Sequence, residues 1–199
     1  MGKEAESTIA VEQHPLQPFL PPNATVLFLG SFPPPRTRWS MNFFYPNIQN
    51  DMWRIWGLIF FNDPNYFVLP SLKKFDYQKI VDFCNTYGLA FFDTAFAVKR
   101  LQENASDKFL EVVQPTNIEA LLSQIPHCQA IVTTGEKATD VLVTNYNCAK
   151  PKIGTFENIY INSRFYKLYR MPSSSRAYPL PLSKKADAYK VLVPFFHSK

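Results

Sequence analysis

Cysteine is scarce in this chain, and its spacing is never paired: Cys84, Cys128 and Cys148 stand far apart among 199 residues. A disulfide framework, a zinc site and a four-cysteine iron–sulfur cluster all need several thiols at characteristic spacings, so the sequence argues against each. Buried free thiols are the expectation instead. Long apolar runs are missing too. No stretch approaches the roughly 18–20 residues of a membrane-spanning helix. The start, "MGKEAESTIAVEQ", lacks the apolar segment of a secretory signal. The expectation is therefore a soluble, cytoplasmic protein with no membrane partner, nucleoid-associated in a bacterium. In that setting the Asn-X-Ser/Thr triplets at Asn23 and Asn104 carry no glycosylation meaning. Histidine is nearly absent, and none of His14, His127 and His197 lies in a motif. There is no internal repeat and no low-complexity tract.

What is present fits one globular domain over 14–199 behind a flexible tail, 1–13: the chain is 46% hydrophobic, enough for a sizeable core. Its formal net charge of +5 is compatible with a polyanionic partner. Aromatic residues make up 16%, and flat side chains serve both cores and base-stacking sites.

"HPLQPFLPPN" is punctuated by proline and should run extended across a surface. "ATVLFLG" is a continuous β-rich apolar run, as expected of a strand buried on both faces. "QNDMWRIWGLIFF" places apolar residues at helical spacing behind Asn50 and Asp51, which suit an N-cap and first turn. Trp53 and Trp56, three apart on that helix, belong to the core. A second helix spans "DYQKIVDFCNTYG", ended by Gly88, and feeds the strand "LAFFD". A third, near "TNIEALLSQI", precedes "AIVTTG". Then come the helix "EKATDVLVTNY", the strand "SRFYKLYRM", the loop "PSSSRAYP" and a closing helix, "KKADAYKVLVPFF". Strands alternating with helices imply a mainly parallel, four-stranded sheet covered on both faces. In such sheets the ligand crevice lies beyond the carboxyl ends of the strands. Loops after Gly30, Asp93 and the strand ending at Met171 should converge there.

Taken together, "GSFPPP" after a strand, "FFYPNIQNDMW", a strand-borne "FFD", "TTGEKATDVL" and "YRMPSSSRAYP" resemble the uracil-DNA glycosylase superfamily, from about His14 to the C-terminal helix. Its mismatch-specific thymine/uracil and hypoxanthine-DNA glycosylase branches are the nearest in pattern. The resemblance implies a three-layer α/β/α domain, acting as a monomer on double-stranded DNA. It implies hydrolysis of the N-glycosidic bond of a flipped-out damaged base, with no cofactor. Uracil opposite guanine is the first expected substrate and hypoxanthine the second; a fold that grips nucleic acid without hydrolysis is the alternative.

The residues themselves fit these roles, each beside a plainer one. Gly30 allows a tight turn beneath a ligand, and the amides of Ser31 and Phe32 can donate to a base carbonyl; a rigid proline-braced turn accounts for the same loop. Tyr45 stands where the family has its stacking aromatic, or is a core ring. Asp93 can accept from a base N–H, or cap the next turn. Phe32 departs from the family, most of whose members have Asp or Asn there to orient water. In the hypoxanthine-type branch an asparagine before the "hydrophobic-Trp" pair takes over. Asn50 matches that position and is the expected catalytic residue, with a helix N-cap as the plainer role and Asp51 as the neighbouring candidate base. In the final loop Met171 replaces the histidine of the fast uracil enzymes, so a slow enzyme is expected. That loop (Met171, Pro172, Ser173, Ser174, Ser175 and Arg176), with Lys184 and Lys185, is expected to bind DNA: the serines on phosphate oxygens, Arg176 as a wedge or a solvated surface residue, the lysines on phosphates or simply exposed.

Overall fold

A computed structural model describes residues 9–102 and 107–197. The triplet at Asn104 and the first eight residues of the expected tail lie outside this range. The elements in chain order are β1 (Val11–Gln13), β2 (Val26–Gly30), α1 (Met52–Phe61), β3 (Val68–Leu69), β4 (Lys74–Phe75), α2 (Tyr77–Tyr87), β5 (Leu89–Asp93), β6 (Ala95–Arg100), β7 (Leu110–Pro115), α3 (Ile118–Gln124), β8 (Ala130–Thr133), α4 (Glu136–Asn145), β9 (Thr155–Ile161), β10 (Arg164–Arg170) and α5 (Leu182–Tyr189).

The four expected strands form one sheet, with β5–β2, β2–β8 and β8–β10 all paired in parallel. Every residue of β2, β5 and β8 is buried, so helices and loops cover both faces. Phe28 and Phe91 sit opposite in register and stack at 5.0 Å. Trp53 and Trp56, both fully buried, press α1 onto Phe91 and Phe28. Trp56 also meets Tyr189 of α5 edge-on at 5.6 Å. Gly88 ends α2 at φ 71, the left-handed conformation expected of it. Burial leaves Cys84 and Cys128 as inert thiols, the latter pushed up to about 12; Cys148 is half-buried.

The sheet has five strands rather than four, because β9 adds an antiparallel edge beside β10. Its hairpin turns at Asn162 and Ser163, both at positive φ, a primed turn made without the glycine that usually marks one. A second, three-stranded antiparallel sheet of order β1–β6–β7 was not expected at all. It takes up Val11–Gln13 of the supposed tail, which pair with Ala97–Lys99. The proline-rich segment does run extended: Phe19 and Phe91 exchange backbone hydrogen bonds, closing the outer edge of β5. The closing helix stops at Tyr189 and tightens into a 3-10 segment, Lys190–Phe195, that contains Pro194. No described helix is long and apolar enough to cross a membrane.

Candidate active site

Beyond the carboxyl ends of β2, β5 and β8 lies a cavity of about 630 Å³. Ten of the residues expected at the site line it: Gly30, Ser31, Phe32, Tyr45, Asn50, Asp93, Ser173, Ser174, Ser175 and Arg176. Met171, Pro172, Lys184 and Lys185 do not.

The floor is built at Gly30. A Cβ there would fall 2.4 Å from Oδ1 of Asp93, so a side chain at position 30 and the carboxylate cannot share the space. Among the described residues the amides of Ser31 and Phe32 have no hydrogen-bond partner. Phe32 is buried and packs with Ala95, Val98 and Leu110 while presenting part of its surface to the cavity. Tyr45 adopts φ 50, in the left-handed region that bulky residues avoid, and its hydroxyl shares a hydrogen bond with Oγ1 of Thr134 at 2.7 Å. That contact and an edge-on approach to Phe91 hold the ring in the cavity wall.

Asn50 combines two roles. Its Oδ1 accepts the backbone N–H of Met52 at 2.9 Å, an Asx-type turn bond just ahead of α1; the N-cap itself is Asp51, not Asn50 as expected, and it makes no side-chain capping bond. Its half-buried side chain still faces the cavity, and Nδ2 has no partner among the described residues. Its backbone bridges Ser175, and Asp51 N–H donates to the Ser174 carbonyl at 2.8 Å, which brings the final loop against the start of α1.

Asp51 is not free to act as a base. Its buried carboxylate accepts from Nε of Arg176 at 3.1 Å and from Nζ of Lys185 at 3.0 Å. Lys185 has no exposed surface and also donates to the Ser175 carbonyl at 2.7 Å. The expectation that Lys185 meets a phosphate is therefore wrong: its ammonium is a strut beneath the loop. Met171 and Pro172 are buried as well, and the Pro172 carbonyl accepts from the Tyr189 hydroxyl. They anchor the loop instead of presenting side chains to DNA. Ser174 is also buried, at 2% exposure, whereas Ser173, Ser175 and Arg176 reach solvent and Lys184 is exposed away from the cavity.

His14 was set aside in the sequence because it lies in no motif, yet the structure puts it behind the cavity. Its Nε2 lies 2.8 Å from Oδ2 of Asp93, and its side chain has no exposed surface. The contact depends on β1: the N–H of His14 continues that strand's ladder to Phe96, three residues after Asp93. Only recognition of the short antiparallel sheet could have revealed it.

The fold is a mixed α/β arrangement with a parallel-rich central sheet. The solution NMR structure of a putative uracil DNA glycosylase from Methanosarcina acetivorans superposes with a TM-score of 0.63, at 19% identity, covering 94% of this chain and 99% of that one. At such identity the likeness establishes the fold alone. The sequence matches no protein-family model and no curated protein.

Proposed function

We propose that the protein is a monofunctional, cofactor-independent DNA glycosylase that hydrolyses the N-glycosidic bond of a flipped-out deaminated base. Uracil opposite guanine is its first substrate and hypoxanthine its second. The observation that supports this most is the shared cavity. A space with room for a base at the strand ends brings together unpaired backbone donors, a carboxylate acceptor, an aromatic wall and a half-free amide.

In this reading the extruded base stacks on Tyr45, a contact worth roughly 1–3 kcal/mol. The Ser31 and Phe32 amides donate to a base carbonyl, and Asp93 accepts from the adjacent N–H. Asn50 holds the attacking water: Oδ1 keeps a lone pair for a water O–H beyond the one used by Met52, and Nδ2 donates to the water oxygen. The bond between sugar C1′ and the base nitrogen breaks with its electron pair leaving on the base. Water oxygen bonds to C1′, and its proton passes to solvent or the departing base. The amides spread the charge gathering on the base, as preorganised donors do at developing anions. The N-terminus of α4 opens on the same cavity at Gly135 and adds its positive end. With methionine at position 171 and no histidine in the final loop, turnover is slow and depends on weakly paired targets. Ser173 and Ser175 grip phosphates beside the flipped nucleotide, and Arg176 fills the gap it leaves.

A second reading, a nucleic-acid-binding protein without hydrolysis, is favoured by Phe32, whose phenyl ring cannot orient water. End-labelled duplexes carrying uracil, thymine or hypoxanthine opposite each base separate the two. Alkali-sensitive sites in the uracil or hypoxanthine lanes support the glycosylase; retarded but intact DNA in every lane overturns it in favour of the binding protein.

A further inference from the structure

We propose that His14 is a positioning residue. Its Nε2–H holds one oxygen of Asp93 so that the other is presented to the cavity purely as an acceptor, and the cavity thereby selects bases whose pairing edge carries a ring N–H. The proposal rests on the reading of the cavity as a base pocket and names the residue behind its selectivity.

The geometry is specific. An ionised carboxylate only accepts, so the 2.8 Å contact requires a proton on Nε2 of His14. The other ring nitrogen is provided for in either protonation state. Nδ1 lies 3.2 Å from the Leu16 amide, from which it accepts when the ring is neutral. It lies 3.0 Å from the Leu16 carbonyl, to which it donates when the ring is charged. Phe92 and Phe32 flank the imidazole, with centroids at 4.3 and 5.4 Å, and keep it from turning away. The backbone of Asp93 is pinned as well, its carbonyl accepting from the Thr116 hydroxyl at 2.7 Å.

With Oδ2 committed, Oδ1 lies over Gly30, has no protein donor among the described residues and opens on the cavity. A base that displaces solvent from this oxygen without offering a donor leaves it buried and unpartnered, which is costly. A base with an N–H on that edge restores the hydrogen bond. Uracil and hypoxanthine each carry a ring N–H beside a carbonyl, matching the carboxylate next to the Ser31 and Phe32 amides. A base methylated on that nitrogen has nothing to donate.

The test uses the intact protein and free bases, so it does not depend on excision. 1-Methyluracil, whose methyl stands where the sugar attaches and which keeps only the N3–H, and 1,3-dimethyluracil, which has no ring N–H, are titrated into the wild type, His14→Phe, which keeps an aromatic ring, and His14→Gln, whose amide N–H can reach the same oxygen. His14→Phe is expected to weaken 1-methyluracil binding by at least about tenfold and 1,3-dimethyluracil by less than about twofold, because only the former uses the oriented acceptor. His14→Gln should recover 1-methyluracil affinity to within about threefold of the wild type. In ¹⁵N spectra of the wild type, Nε2 of His14 should carry the proton. Equal losses for both ligands, a His14→Gln variant no better than His14→Phe, an unprotonated Nε2, or no 1-methyluracil binding by the wild type would each overturn the proposal. Excision of uracil from duplexes with these outcomes negative would leave the glycosylase standing without this role for His14. The selective pattern without excision would leave a base-binding pocket that performs no hydrolysis.

Discussion

The Asn50 carbonyl ties the turn ahead of α1 through the Met52 amide, so an alanine there removes a structural hydrogen bond as well as the proposed water holder. The two losses differ in size and readout. The lost turn bond costs about 1 kcal/mol of stability, visible as a lowered unfolding midpoint. A lost water holder should cut turnover by at least about tenfold, some 1.4 kcal/mol of barrier, with duplex binding retained. Asn50→Ser separates them, since a hydroxyl can still accept from the Met52 amide in the same turn but cannot offer both an amide donor and a carbonyl. We expect its stability near wild type and its excision rate near that of Asn50→Ala; excision at the wild-type rate in both variants would remove Asn50 from the mechanism. Gly30 gives a prediction of a different kind. The new Cβ of Gly30→Ala would sit 2.4 Å from Asp93 Oδ1, and so the carboxylate must move off the cavity floor. Single-turnover excision should fall by at least about tenfold, while circular dichroism stays that of the folded protein.

At the scale of elements, the final loop is held by a buried charge cluster that joins α1 to α5. Lys185 and Arg176 share Asp51, but their environments differ: the Lys185 side chain is fully buried and that of Arg176 is 49% exposed. Lys185→Ala leaves the Asp51 carboxylate buried with one partner fewer, and removing one member of a buried pair costs about 3–5 kcal/mol. Denaturant unfolding should show that loss; a change below about 1 kcal/mol would mean the cluster is solvated. Arg176→Ala should cost less than about 1 kcal/mol of stability, as for exposed pairs. It should slow excision from well-paired targets more than from mispaired ones, and equal slowing on both would count against a wedge. None of this cluster is visible as such in the sequence. "NDMW" and "SSSRAYPLPLSKK" read as a helix start and a basic loop because each charge looks solvated until the fold brings them together. The four parallel strands were legible, three of them because continuous apolar runs ending at Gly30, Asp93 and the turn after Thr133 leave a strand only one environment. β9 and β1 were not. "TFENIYI" is mostly exposed and leads into a turn without glycine, and "VEQ" is polar, becoming a strand only because β6 offers it an edge. The candidate site follows the same division: residues on strand ends and motif loops were found, whereas His14 arrived through the unforeseen sheet.

Across the whole molecule, the formal net charge of +5 is not spread evenly in effect, because several cations are already spoken for. Arg100 pairs with Glu12, Lys150 with Glu136 and Asp140, Arg170 with Glu136, and Lys190 with Asp187. Burial removes Lys185. Around the cavity, Arg38 and Lys108 line the wall with no acidic partner among the described residues, and Arg176 stands half exposed beside them. An adjoining groove of about 1060 Å³ shares Lys108, Gly135, Ser173 and Tyr178 with the cavity and continues past Lys137 and Arg170. A duplex laid over this face would therefore have about three or four phosphates neutralised, not the roughly six to ten of a strongly basic DNA binder. Counterion release then sets the slope of log affinity against log salt near −3, so that duplex binding weakens by roughly 50-fold between 50 and 200 mM salt. Fluorescence anisotropy on an undamaged duplex measures this directly, and Arg38→Ala with Lys108→Ala should reduce the slope by about two. Uracil as a free base, which has no phosphates, should bind with the same affinity across that salt range. An affinity for duplex that ignores salt, or a slope untouched by the double substitution, would place the DNA on another face and leave the cavity to a small molecule.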